Sequence, residues 1–290
     1  MAASAPVPES RIPKPEPRRA ESFLTSAWRV FGLSIGEMLW SKRTIFMALI
    51  VGSPIVVALV ARVVQSMGTA PLRVNGVQVD AVSMFGAMIW ILFLWFIVPV
   101  LGVFYGTSLI ADEVDDKTIT YLFTRPVRRG AVVVGKYMAY LMCTTLVVLP
   151  SVMIVYFLMV PFSQIPASFT SLVVDLGVLG LGLAAYGALF ALIGAAIRRP
   201  LVVGLVFIFG WELVTLVIPG YLKHFTLAYY LQTLVPHAMP AGDTVSLLQG
   251  AVFRDPPSVG ASLFWLAVAI AVSLALAVRV VEDREYILEQ

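Results

Sequence analysis

The chain has 290 residues, of which 60% are hydrophobic and only 13% charged, with a formal net charge of +3 and a mean hydropathy of +0.92. Soluble domains carry about a quarter charged residues, so this composition excludes a soluble globular protein and points to an integral membrane protein. Nucleic-acid binding has no support, because membrane topology accounts for where the basic residues fall, and the single Cys143 cannot form an intrachain disulfide.

Residues 1–21 are rich in Pro, Ala and charge without apolar periodicity, which predicts a disordered tail. From Ser22 to Arg43 the pattern changes: Leu24, Trp28, Phe31, Ile35, Met38 and Leu39 recur at helical spacing, with Arg29, Ser34 and Glu37 at polar positions. That predicts an amphipathic helix lying on the membrane surface, or a packing helix, or both together. Residues 44–290 form one membrane domain. Six stretches reach the roughly 20 helical residues needed to cross a hydrocarbon core. They are Ile45–Val64, Met84–Ala111, Ala131–Val160, Leu172–Ile197, Leu201–Pro219 and Val259–Val281. Asn75-Gly76, flanked by alternating apolar and polar residues, predicts a tight β-hairpin between the first two spans. The second and third spans are longer than a bilayer requires and carry Pro99 and Pro150, where kinks are expected.

Between the second and third spans lies DEVDDKTITYLFTRPVRR, from Asp112 to Arg129. Asp112, Glu113, Asp115 and Asp116 precede Lys117, while Arg125, Arg128 and Arg129 close the segment. Acids first and bases last complement the dipole of a short helix. Ile119, Leu122 and Phe123 form its apolar stripe, and Arg125-Pro126 ends it. An ordinary charged loop is the alternative. The segment resembles the cytoplasmic signature of ABC-2 type permeases, the membrane subunits of ATP-binding-cassette exporters. Glu113, Asp116, Thr118, Ile119, Leu122, Thr124, Arg125, Pro126, Val127 and Arg129 meet that pattern, and Lys117 departs from its usual glycine. The resemblance implies a coupling helix that docks on an ATPase subunit, through Asp112, Glu113, Asp116, Lys117, Thr118, Leu122, Phe123, Arg125, Pro126, Arg128 and Arg129. It also implies an elbow helix at residues 22–43.

Later in the chain, Arg198-Arg199-Pro200 closes the fourth and fifth spans into an antiparallel pair. Small residues recur every four positions on the fourth span, as Gly180, Ala184 and Ala188 and as Gly187, Ala191 and Ala195, a spacing that lets helices approach closely in lipid. Asp175 sits near the outer end of that span, within expected reach of water, and is with Glu212 a candidate pathway or interface residue. Glu212 lies deep in the fifth span, about 18 Å beyond Arg199 at 1.5 Å per residue. Either it faces a pathway or a dimer interface, or it bonds a Ser, Thr or Tyr hydroxyl on a neighbouring helix. The segment from Gly220 to Ser258 is the largest outer feature, with Tyr221, Phe225, Tyr229 and Tyr230 as interfacial aromatics. His224 and His237 there have no ligand-spaced carboxylate or cysteine.

Placing both termini in the cytoplasm puts 16 of the 20 Lys and Arg inside, leaving Arg62, Arg73, Lys223 and Arg254 outside. This satisfies the positive-inside rule. The chain has no G-x-x-x-x-G-K-[ST] loop and no H-E-x-x-H, and its one G-x-S-x-G string, Gly32 to Gly36, falls within the helical pattern of residues 22–43 rather than at a nucleophile elbow, so neither a nucleotide site nor a hydrolase site is expected. The expectation is an all-α integral membrane protein with six transmembrane helices, an amphipathic elbow helix and a cytoplasmic coupling helix. By the resemblance it is a permease of the bacterial inner membrane that exports its substrate. Its partners would be two copies of an ABC ATPase, which bind the ATP and Mg, and a second permease copy or paralogue in the bilayer. A membrane anchor for an ATPase-driven surface machine, and an ion-coupled secondary transporter, are the competing readings.

Overall fold

A computed structural model of the chain describes residues 23–40, 42–67, 73–74, 77–78, 81–115, 129–212, 214, 221–235 and 257–283. The expected tail at 1–21 lies outside these residues. Helix α1 runs Phe23–Leu39 and α2 Lys42–Ser66. Strands β1, Arg73–Val74, and β2, Val77–Gln78, then pair antiparallel with Val74 opposite Val77, so the hairpin expected around Asn75-Gly76 is present. Next come α3, Ala81–Ala111, α4, Arg129–Met159, and α5, Ile165–Ala196. Helix α6, Pro200–Glu212, is shorter; a short helix α7, Leu227–Gln232, and α8, Val259–Asp283, complete the order.

Among the described residues, five helices are long and apolar enough to cross a membrane: α2, α3, α4, α5 and α8. The chain is therefore a multi-pass membrane protein, and its described residues are helical apart from the two short strands β1 and β2. The stretch expected as the fifth span, Leu201–Pro219, is represented by the shorter α6, and its last residues other than Val214 lie outside the described set.

Helices α3 and α5 are the most buried and α2 and α8 the least. The outer faces of α2 and α8 present Ile45, Leu49, Val56, Phe264 and Trp265, apolar side chains suited to lipid. The centre is held by close approach and by hydroxyls. A methyl group built on Gly194 would lie 2.4 Å from the Thr107 carbonyl oxygen, so only glycine lets α5 and α3 meet backbone to backbone there. Gly187, Ala191 and Ala195 of the predicted small-residue stripe are buried in this contact zone, whereas Gly180 has open space around it. From α4, the Tyr137 hydroxyl donates to the Ala184 carbonyl at 2.8 Å and the Tyr140 hydroxyl to Leu183 at 3.0 Å. Hydroxyls also repair what proline breaks. Pro54 cannot donate to the Ile50 carbonyl, and Ser53 Oγ donates to that oxygen instead, at 2.7 Å.

Several boundaries differ from expectation. Helix α5 begins at Ile165 rather than Leu172, because Pro166 suits a first helical turn and the Ser168 hydroxyl is satisfied there. It donates to the Gln164 carbonyl at 2.9 Å and shares a 2.7 Å bond with the Tyr156 hydroxyl. Asp175 consequently lies well inside the helix with 0% of its surface exposed, which corrects the expectation that it reaches water. In α3 the backbone opens into wider π-type turns over Ile89–Ile97 and Gly102–Gly106, with Pro99 between them. The same widening ends α6, over Phe207–Glu212.

The predicted apolar stripe of α1 is divided. Ala27, Phe31, Ser34, Ile35 and Met38 turn toward the bundle, while Leu24, Trp28 and Leu33 are exposed, as is Trp40 just beyond. Ser34, expected among polar positions, is buried. Its small side chain suits the close packing of α1 on α4, where a methyl on Gly135 would sit 2.5 Å from the Ala27 carbonyl oxygen.

Candidate functional site

Two regions carry the functional expectations. The first is the charged segment between α3 and α4. Helical backbone continues from Ser108 through Asp115, so Asp112, Glu113 and Asp115 occupy the last turns of the helix that prolongs α3. Asp116, Lys117, Thr118, Leu122, Phe123, Arg125, Pro126 and Arg128 lie outside the described residues, and with them the body of the expected coupling helix. Arg129 opens α4. The adjoining Gly130 abuts α8: a methyl there would be 2.7 Å from Val278 and 2.8 Å from the Glu282 carboxylate. The segment thus leaves from the end of one central helix and re-enters at the foot of another.

The second region is the carboxylate of Glu212. It is 9% exposed and ends the widened turn of α6. Its Oε1 accepts a hydrogen bond from the Tyr186 hydroxyl of α5 at 2.5 Å, and the carboxylate also accepts from the Ala228 backbone N–H in the first turn of α7. Three elements therefore converge on one acid. A carboxylate in an apolar span is costly unless it is partnered, and these donors supply the partners. Of the two readings open for Glu212, the hydroxyl bond is present, from Tyr186. Nothing local in the sequence singles out that tyrosine, which is 26 residues away. The Ala228 amide was invisible for the same reason: only the return of the chain from residue 221 onward brings it back to the bundle.

Asp175 does not join this cluster. It lies on the same helix as Tyr186 but about 16 Å away along the axis, at 1.5 Å per residue. Near the start of α7, Lys223 Nζ stands 5.2 Å from the centre of the Tyr229 ring, His224 packs edge-on against the same ring, and the Tyr230 hydroxyl donates to the His224 carbonyl at 3.0 Å. Of the predicted interfacial aromatics, Phe225 is exposed while Tyr229 is buried, so the latter serves packing. Among the described residues, no three His, Cys, Asp or Glu are grouped as a metal site.

No match is found among curated proteins. The family model for the ABC-2 family transporter protein matches residues 35–281, which takes in every long helix and the charged segment between α3 and α4. With that match across most of its length, and with helices that cross a membrane several times, the chain belongs to the ABC-2 family of transporter proteins.

Proposed function

We propose that the chain is the transmembrane permease subunit of an ABC exporter, moving its substrate with ATP hydrolysed by a separate ATPase subunit. The observation that carries this reading is the family match over residues 35–281, a span that includes the charged segment and both helices flanking it. Two ATPase copies would bind the ATP and Mg and dock on Asp112–Arg129. A second permease, identical or paralogous, would complete the translocation unit. The excess of Lys and Arg on the Arg198-Arg199 side supports termini in the cytoplasm, and the bacterial inner membrane is the location that goes with the exporter reading. ATP-driven closure of the ATPase pair would press on the segment, and α3 and α4 would carry that movement into the bundle. The chain itself contributes no catalytic group, since it lacks a phosphate-binding loop.

The test is biochemical. The purified chain should show no ATPase activity by itself, and co-expression with an ABC ATPase from the same operon should give a complex that survives detergent purification. Substantial hydrolysis by the homogeneous isolated chain would overturn the permease reading.

A further inference from the structure

Helix α7 has six residues, too few to be stable without tertiary support. Its first N–H groups need acceptors, yet its N-cap residue, Thr226, gives them none: the Thr226 hydroxyl donates instead to the Lys223 carbonyl at 2.7 Å. The Glu212 carboxylate accepts from Ala228 in its place, and the same carboxylate is bound to Tyr186. Further along α7, Leu231 packs on Gly182 of α5, and the adjoining Thr233 shares a 2.8 Å hydroxyl bond with Ser262 of α8.

Tyr186 is also gripped from the other side. It is fully buried and stacked on Phe190 at 6.1 Å, and a methyl on Gly102 of α3 would lie 2.8 Å from the Tyr186 Cβ. A methyl on Gly204 of α6 would lie 3.0 Å from Val103 of α3 and 3.3 Å from Phe190. The widened turn of α6 reaches the same pair through Phe207, edge-on to Phe190 at 6.1 Å, and through Glu212 on Tyr186, so the widened turns of α3 and α6 meet on Tyr186 and Phe190, and α3 is the helix that leads into the charged segment. Close-packed contacts of this kind transmit displacement rather than absorb it.

We propose that Glu212, Tyr186 and the Ala228 amide form a latch that holds α7 against the bundle, and that displacement of α3 releases it. The moving element is the widened end of α6. Tightening Phe207–Glu212 to regular α-helical turns changes which face the carboxylate occupies, since each residue of register is about 100° of rotation. Both hydrogen bonds then break together, and α7 loses its N-terminal acceptor. The nucleotide-driven part of this inference rests on the permease reading; the hold of Glu212 on α7 does not.

The experiment is hydrogen exchange on the full chain in lipid nanodiscs, alone and in complex with the ATPase. In the isolated chain, Glu212→Ala should speed exchange of the Ala228–Gln232 amides at least tenfold while α4 and the middle of α5 keep wild-type protection. Tyr186→Phe should give an intermediate increase, and Glu212→Gln, which keeps an acceptor oxygen, should restore most of the protection. In the complex, a non-hydrolysable ATP analogue should deprotect the same amides in wild type and add nothing in Glu212→Ala. Unchanged exchange in both Glu212→Ala and Tyr186→Phe overturns the latch. A nucleotide response of equal size in wild type and variants overturns its release by α3. Failure to assemble any ATPase complex would count against the permease reading, while the isolated-chain arm would still decide whether Glu212 holds α7.

Discussion

Substituting Gly187 by alanine tests whether the centre of the bundle is held by steric fit. A methyl group there would lie 2.1 Å from Tyr140 Cε1 and 2.7 Å from Cζ. Carbon atoms pack at about 3.5–4.0 Å, so the ring must retreat by about 1.5 Å. Tyr140 is completely buried and its hydroxyl is bonded to the Leu183 carbonyl, so the retreat also loses that bond. Overpacking costs about 1–3 kcal/mol, and an interhelical hydrogen bond in a membrane averages about 0.6 kcal/mol. Alanine regains about 0.5–1 kcal/mol of helix preference over glycine. The net expectation is a loss of about 1–3 kcal/mol. Gly180→Ala on the same helix is the control: nothing lies within 4 Å of its added methyl, so only the propensity gain remains, about 0.5–1 kcal/mol of stabilisation. Thermal unfolding in nanodiscs, followed by tryptophan fluorescence, should place the two variants on opposite sides of wild type. The cost of Gly187→Ala should shrink when Tyr140 is also changed to Leu, because contacting residues couple. A Gly187→Ala variant as stable as wild type, or a Gly180→Ala variant equally impaired, would refute the steric reasoning.

Three other outcomes are expected. Glu113→Lys reverses one charge of the acidic cluster Asp112–Asp116, so that it would repel what the cluster attracts on a docked ATPase, and should weaken ATPase association several-fold without impairing membrane insertion, measured by co-purification; unaltered complex formation and unaltered ATP turnover would make the segment a bystander. Ser53→Ala should cost about 1 kcal/mol in thermal unfolding by stripping the Ile50 carbonyl of the donor that replaces Pro54, whereas Ser53→Thr should retain most of that stability. Gly135→Val should push α1 off α4, since even a methyl there would meet the Ala27 carbonyl oxygen at 2.5 Å and Val30 at 2.9 Å. Tryptic cleavage after the exposed Arg29 should then rise several-fold, and an unchanged digestion pattern would show that α1 is held elsewhere.

Much of the architecture is local and was therefore legible in the chain itself. A hydrocarbon core about 30 Å thick demands long apolar helices, so composition alone marks where α2, α3, α4 and α8 run to within a few residues of their observed ends. The Asn75-Gly76 hairpin needs only its own turn, and the closure at Arg198-Arg199 needs only a proline poised to start the next helix. The charged segment and its resemblance rest on consecutive residues, and the family match agrees with them. What hydropathy could not supply is which face of each helix meets which neighbour, because in a span that is apolar all round every face looks suitable. Only tertiary structure placed Gly187 under the Tyr140 ring, turned Ser34 inward, buried Asp175, and widened α3 and α6 where they meet on Tyr186 and Phe190. It alone joined Glu212 to a tyrosine 26 residues earlier and to an amide on the returning chain. The reason is physical: a carboxylate in an apolar span must find donors, but the sequence states only that need, and the packing of three separate elements decides who meets it.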